Sequence, residues 1–494
     1  MNKERAGYLL LGIAAVLWVA RLDDPPGSYR HADDPPEYVH DECYQAFTAH
    51  RFAMGDRDAW NPFATRDTAA RITNSDMSRW TTYEWVHPPT AKLIMAALIK
   101  VFGFQPTAYR LGSVIFGLLT LFFAWRLSTR MFGADFGLIT LALLCADGLV
   151  FTMSRVAMND IYVTACTTLA MFFIYRWWTE GGDWRPLLGA GLSFAVGLTM
   201  KWNAGPLGFG MFFIVAGRIA YQAIWGEAPP VVEGEGSVRR SADPRSRRGQ
   251  EEEDERTGKK GRKKSKKKKD RPRERKKLEG KKLWQTLGAF GAAWIVAPPV
   301  FYLAAYIPYF LQDYSWADFG MLNHQIWWYH HNLKATHSMS SLWWEWPWIT
   351  RPVWFFLHNS PGEIRVIYAM GNPALWWVFL PSLAWVAVRY AMKRLPADGL
   401  ILCGFFGVWF PWIFVGRVAF IQYLLPAVPF GAMAVARALT DLGGALKQKW
   451  IPIAWVGLVA AVFINFYPFW SGYPIPHDVA AGKRYYWFEK WRKP

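Results

Sequence analysis

PPTAKLIMAALIKVFGF, residues 88–104, is the stretch on which the topology of the chain turns. It is apolar enough to suggest a membrane span, yet it is short and carries Lys92 and Lys100 eight residues apart. A spanning helix needs about 20 predominantly apolar residues. With a basic residue on either side of its centre, the stretch reads instead as an amphipathic helix lying at the interface. Pro88 and Pro89 stop the preceding chain and set the angle at which the helix begins.

Composition makes the membrane the solvent. Of 494 residues 52% are hydrophobic and 17% aromatic, with 30 Trp, which no ordinary soluble domain of this length carries. Eleven further segments read as spans: 6–21, 108–127, 134–151, 157–177, 187–203, 205–225, 284–305, 370–390, 398–415, 418–438 and 450–470. The N-terminal one has a basic start and a short apolar core, like a signal peptide, but no small-residue cleavage site follows; it reads as an uncleaved first span. Four scattered cysteines form no CxxC pair and no disulfide framework.

Charge orients the eleven spans. With the N-terminus cytoplasmic, every inner loop is basic: Arg126 and Arg130, Arg176 and Arg185, a Lys-rich insert, Arg389, Lys393 and Arg394, then Arg437, Lys447 and Lys449. Counting residues 89–103 as a twelfth span would invert the later topology and expose the insert outside. The basic C-terminal tail, KRYYWFEKWRKP, is the one exception on the outer face.

The chain then divides into an N-terminal transmembrane region (1–225), the insert (226–283) and a C-terminal transmembrane region (284–494). Residues 227–282 hold 22 Lys and Arg against 12 Asp and Glu and account for more than half of the net charge of +18. The insert is low-complexity and nearly free of apolar residues, so disorder is expected. Attraction to anionic lipid headgroups at the cytoplasmic face is its functional reading, with a solvated linker as the plain alternative; nucleic acid is not expected as a partner.

Two outer loops are long, 22–107 and 306–369, and the unusual polar residues gather on their side. VHDECYQAF sets Asp41 beside Glu42; alone, that pair reads as a solvated loop or a helix start with Asp41 as N-cap. TTYEWVHPPTAKL adds His87, MSRVAMNDIYVT adds Arg155 and Asp160, and GLTMKWNAGPLG adds Lys201, which as a lone lysine also fits a snorkelling anchor. WIFVGRVAFIQYLLPAVPF brings Arg417 to the same face. The second long loop contains His324, His330, His331 and His337 in a Trp-saturated setting, but no carboxylate or cysteine recurs at ligand spacing, so a metal site is not expected. Its aromatics fit an interfacial belt or stacking on a sugar ring.

Acids, an imidazole, cations and aromatic surfaces facing one compartment suit glycosyl transfer from a phosphate leaving group. Such a reaction needs a carboxylate to take a proton from the acceptor and cations to hold the departing phosphate. Neither a P-loop nor a dinucleotide fingerprint occurs.

HDECYQAF, HPPTAKL, SRVAMND, KWNAG, WWEWPWITRPVWF, IYAMGNPALWW and GRVAFIQYLLPAVPF follow one another in this order. Together they resemble the protein O-mannosyltransferase family of the GT-C superfamily, over nearly the whole chain except the insert. The resemblance implies an all-α integral membrane enzyme of about 11 transmembrane helices, with short interfacial helices in two long outer loops. It implies transfer of mannose, with inversion, from a polyprenyl (dolichyl-type) phosphate mannose to Ser or Thr hydroxyls outside the cytoplasm, at the cell membrane, with no cofactor beyond the donor. Carried onto this chain, it implies catalytic Asp41, as general base, and Glu42, with Arg155, Lys201 and Arg417 at the donor phosphate or sugar. His87, Asp160, His337, Trp344 and Arg351 are then acceptor-binding or site-shaping.

Two departures stand out. The second long loop, at about sixty residues, is too short for the β-trefoil module of eukaryotic members, and the insert is outside the family pattern. Related GT-C enzymes act on lipids or glycans, which is the alternative acceptor class. A transporter would place ionisable groups near the bilayer midplane rather than at span ends. A scaffold built around the insert leaves the outer acids unexplained.

Overall fold

The structure, a computed structural model, describes residues 2–25, 39, 41–63, 84–180, 183–226, 277–482 and 484–492. The expectations for the insert therefore fall almost entirely outside the described residues.

The N-terminal half comprises α1 (Lys3–Val19), α2 (Glu42–Met54), α3 (Thr90–Phe102), α4 (Pro106–Phe132), α5 (Ala134–Cys145), α6 (Gly148–Met153), α7 (Asn159–Thr179), α8 (Arg185–Leu198) and α9 (Gly205–Ile224). Among the described residues seven helices are long and apolar enough to cross a membrane. They are Pro106–Phe132, Trp202–Ile224, Gly280–Ala305, Pro373–Lys393, Pro396–Phe414, Ile421–Ala445 and Ile451–Ser471; Ala134–Cys145 and Arg185–Leu198 are apolar but shorter. α7 is buried along almost its whole length and forms the centre of the helical body.

α3 answers the question posed by residues 88–104. Its 13 residues span about 20 Å at 1.5 Å each, short of the roughly 30 Å hydrocarbon core. Ala91, Lys92, Met95, Ala96 and Ile99 form one buried stripe, while Lys100, Val101 and Phe102 face outward. Gly103, at φ 80°, ends the helix, and Pro106 starts α4 in its first turn.

The span expected over 134–151 is broken in two, for a visible reason. Asp147 caps α6 by accepting from the Val150 amide at 2.9 Å. Its second oxygen accepts from the Asn372 amide at 3.1 Å and from Trp376 Nε1 at 2.7 Å. The Asn372 carboxamide donates to the Ala146 and Val459 carbonyls, both at 2.8 Å. The Gly-Asn-Pro element is thus a knot joining α5, α6 and the helices Pro373–Lys393 and Ile451–Ser471. A Cβ on Gly371 would lie 2.0 Å from the Trp376 ring, so only glycine fits beside the knot.

The expectation of an all-α protein is corrected by a small antiparallel sheet. Strands β1 (Val353–Ser360), β2 (Glu363–Ala369) and β3 (Ile475–Pro476) lie in that order. Ser360 pairs with Glu363 across a Pro361-Gly362 turn, and Gly362 takes φ 90°, which a type II turn requires at its third residue. Buried aromatic and branched side chains of these strands pack on the helical body, as where Tyr368 stacks on Phe469 at 5.2 Å. The second outer loop otherwise carries a 17-residue helix, Trp316–Asn332, and a 3-10 segment, Trp343–Trp348.

The two ends of the body differ in chemistry. Ion pairs Lys3–Asp135, Arg126–Glu4 and Arg130–Glu180 gather at one end of α4 and α7. Arg110 and Asp160 stand at the opposite ends of the same two helices.

Candidate active site

α2 begins at the acidic pair, and the two carboxylates have different fates. Asp41 occupies the N-cap position yet its side chain makes no capping hydrogen bond, and the residue is exposed. Glu42 is 3% exposed. Arg110 of α4 grips it through Nε at 2.9 and 3.1 Å and through a second nitrogen at 2.5 Å, and the Ala157 amide donates to it at 2.8 Å. The remaining Arg110 nitrogen donates to the carbonyls of Leu22 and Pro25 at 2.9 and 3.1 Å. A charged pair this deep is stable only when its remaining donors and acceptors are met, as they are here. Glu42 and Arg110 therefore fix the backbone on which Asp41 is mounted.

A second buried pair lies where α7 meets the end of α8. Lys201 Nζ donates to both oxygens of Asp160 at 2.8 and 2.9 Å, and both residues are buried. The ammonium also lies 4.8 Å from the ring centre of Tyr423, over which Arg417 stands at 5.9 Å. Lys201 is held in place, not snorkelling. Carboxamides neighbour the pair and Tyr423 in sequence: among the described residues, Asn159 and Asn203 have no hydrogen-bond partner at either amide atom, and the buried Gln422 has none at its oxygen.

His87 and the start of α3 form the third part. Lys92 is 1% exposed and forms an ion pair with Glu84 while donating to the His87 carbonyl at 3.1 Å. The Glu84 amide donates to Thr48 Oγ1 of α2 at 2.8 Å, so the pair ties α3 to the helix that carries Asp41. Burial pushes the Glu84 carboxyl above the usual carboxylate range, with Lys92 pulling the other way. His330, from the helix Trp316–Asn332, lies 2.9 Å from the Val86 carbonyl through Nε2, which must therefore carry the proton. Its ring stacks on that of His87 at 5.3 Å. Burial, helped by nearby cations, holds His87 well below the ordinary imidazole value and brings His330 down to about 4, so both rings are neutral at physiological pH.

These parts sit within electrostatic reach of one another. The Asp41 charge is felt at Glu84, Tyr329 and Tyr423, and the charges of Lys201 and Arg417 are felt at His87 and His330. Asp41, His87, Asp160, Lys201 and Arg417 thus belong to one cluster.

The other expected residues make contacts of their own. Arg155 donates to the carbonyls of Leu17 and Arg21 at 3.3 and 3.0 Å, closing the end of α1, and covers the Phe151 ring; its partners are structural. His337 accepts from the Met339 amide at 3.1 Å and packs edge-on against Phe420, three residues after Arg417 in the chain. Arg351 donates to the Ser338 carbonyl at 3.1 Å, while Trp344 is half exposed. His324 and His331 flank Trp327 on the outward face of their helix, away from His330. Among the described residues no group of three or more His, Cys, Asp or Glu is arranged to hold a metal ion.

Sequence reasoning passed over Arg110, Glu84, Lys92, Tyr423 and Gln422 as site residues. Gln422 and Tyr423 lie inside a motif already singled out, and Lys92 follows His87 by five residues. Arg110 carried a weaker signal, an ionisable residue at the outer end of an apolar segment.

The fold has known counterparts. An 11% identical S. cerevisiae protein O-mannosyltransferase, solved as the Pmt1-Pmt2 complex bound to the sugar donor, superposes with a TM-score of 0.69, covering 100% of this chain and 93% of that one. The apo structure of ArnT from Cupriavidus metallidurans, 15% identical, superposes at 0.50 over 91% of this chain and 63% of its own. The protein is a helical membrane protein with seven candidate spans, and it shares the fold of these two structures.

Two family models match the chain: the dolichyl-phosphate-mannose-protein mannosyltransferase model over residues 86–227, and the C-terminal four-transmembrane region of protein O-mannosyltransferase over residues 315–491. The polyprenol-phosphate-mannose–protein mannosyltransferases of Mycolicibacterium smegmatis and Corynebacterium glutamicum are each 23% identical to it, covering 82% of this chain and 82% and 81% of their own. The chain belongs to the protein O-mannosyltransferase family.

Proposed function

We propose that this chain transfers mannose from a polyprenyl phosphate mannose to Ser or Thr hydroxyls of proteins, with inversion, and that Asp41 is its general base. Family membership carries the reaction class, which is that of a polyprenol-phosphate-mannose–protein mannosyltransferase. The assignment of Asp41 rests on one observation: of two adjacent carboxylates, Glu42 is buried against Arg110 and the Ala157 amide, while Asp41 is exposed and its charge acts on Tyr423, the ring over which Lys201 and Arg417 also stand.

In this reading Asp41 accepts the proton of the acceptor hydroxyl as its oxygen attacks the anomeric carbon of mannose. The bond from that carbon to the phosphate oxygen breaks, and the electron pair leaves with the polyprenyl phosphate. Lys201 and Arg417 stabilise the negative charge as it develops, which only prepositioned cations do without reorganising. Asp160 holds the Lys201 ammonium in position, and the carboxamides of Asn159, Asn203 and Gln422 supply donors and acceptors for sugar hydroxyls. Neutral His87 and His330 contribute a donor or acceptor without adding charge. The basic inner loops of the sequence, read with a cytoplasmic N-terminus, support placing this cluster outside the cytoplasm, on the outer face of the cell membrane, where a lipid-linked donor and a translocated protein meet.

Membranes containing the protein are expected to transfer labelled mannose from polyprenyl phosphate mannose to a Ser/Thr peptide. Label appearing in lipid alone would oppose a protein acceptor.

A further inference from the structure

The C-terminal tail is the one basic segment that the outer face does not explain. Residues 483–494 hold five basic residues and one acid. The tail lies at the same end of the body as the candidate site, because Trp491 Nε1 donates to the Ile349 carbonyl at 2.7 Å, and Trp346, three residues earlier, packs against Tyr423. Between this tail and the second outer loop is a cavity of about 630 Å³, lined by Trp348, Thr350, Trp377, Phe488, Glu489 and Lys490.

Its walls and its rim differ in chemistry. Trp377 stands in the first turns of the candidate span Pro373–Lys393, donates to the Trp348 carbonyl at 3.0 Å, and meets Phe488 at 5.9 Å. Trp348 and Phe488 are half exposed, so apolar walls open at the level where a span begins. Lys490 lines the cavity with the acid Glu489 beside it, and Arg484 and Arg492 of the tail are also exposed, which leaves the cations in excess. Aromatic walls with an excess of exposed cations along the tail match a molecule with an apolar chain and a phosphate.

We propose that this groove binds one anionic glycerophospholipid of the outer leaflet, its acyl chain between Trp348, Trp377 and Phe488 and its phosphate on Lys490. None of the residues that line the groove belongs to the Lys201, Arg417 and Tyr423 group, so the site is distinct from the one assigned to the donor. The bound lipid neutralises the tail and seats it against the loop that carries Trp346 and Arg351. The proposal is independent of the mannosyl-transfer reading.

The test uses the full chain in nanodiscs of equimolar dioleoyl phosphatidylglycerol and dioleoyl phosphatidylcholine, with retained lipid counted by native mass spectrometry after detergent extraction. Wild type is expected to retain phosphatidylglycerol in preference to phosphatidylcholine. Lys490→Gln, at an exposed position that does not threaten folding, is expected to reduce that preference about fivefold, the effect of one cation near an anionic headgroup. Trp348→Ala is expected to reduce retention of both lipids, and Trp348→Phe to restore it. An unselective wild type, or equal retention by Lys490→Gln, would overturn the proposal. So would displacement of the retained lipid by added polyprenyl phosphate or by a Ser/Thr acceptor peptide.

Discussion

Arg110 closes on Glu42 with three hydrogen bonds of 2.5 to 3.1 Å, and the residue next to Glu42, Asp41, is exposed. The Asp-Glu pair thus divides its labour. One acid anchors the helix start between α4 and the turn at Ala157, and the other presents a carboxylate from that anchored point.

Removing either partner of the anchor leaves a buried charge uncompensated, which typically costs about 3–5 kcal/mol. Arg110→Ala and Glu42→Ala are therefore expected to lower the unfolding temperature in detergent markedly and to abolish transfer with it. Asp41→Ala is expected to melt like wild type. Equal melting of all three variants would contradict the division.

Lys201 and Asp160 make a different prediction, because here the cation faces the site and the acid stands behind it. Lys201→Gln is expected to lower kcat/KM for the lipid donor by about a hundredfold or more, the usual effect of losing one prepositioned donor to a developing anion. Asp160→Asn is expected to cost less in transfer and more in stability. Steady-state kinetics with varied donor, beside melting curves, separate the two.

Glu84 and Lys92 are expected to be coupled. Each single variant, Glu84→Gln or Lys92→Met, strands the other buried group, whereas the double variant removes both charges. The double variant is expected to recover at least about half of the stability lost by the worse single one, as buried pairs replaced together often do. Additive losses in a thermal double-mutant cycle would show that the pair does not interact.

His87 and His330 link stability to pH. Their folded values lie below the ordinary imidazole value of 6.5, so the unfolded chain takes up protons first as pH falls. The stability they provide is complete above pH 6.5 and is lost from there down to about 4 for His330. The loss is at most about 1.4 kcal/mol per pH unit for each group. His330→Asn is expected to flatten the fall in unfolding temperature between pH 6.5 and 5; an unchanged slope would contradict the neutral, carbonyl-bonded imidazole.

These pairs also show what the sequence carries and where it stops. α3 was legible because length and amphipathicity are local properties, and the seven helices long enough to cross a membrane overlap seven of the eleven apolar runs read as spans. That Lys92 turns inward was not legible, since an interfacial lysine and a buried one differ only by a partner, and Glu84 looks like any loop acid in the sequence. Glu42 and Arg110 are 68 residues apart, and only tertiary packing brings them together. The hairpin had a local signal, Pro361-Gly362 between runs rich in branched and aromatic residues, but the surrounding Trp-rich loop drew the reading towards an interfacial belt. The break before α6 depends on Asn372, which lies 225 residues from Asp147.

The central claim is that Asp41 takes the acceptor proton while Glu42 only holds it in place. Purified Asp41→Asn, assayed with labelled polyprenyl phosphate mannose and a Ser/Thr peptide, tests it most directly. The account predicts wild-type melting, retained donor binding, and transfer reduced by at least about a hundredfold, as loss of a general base requires. Transfer at the wild-type rate by that folded, donor-binding variant would contradict it.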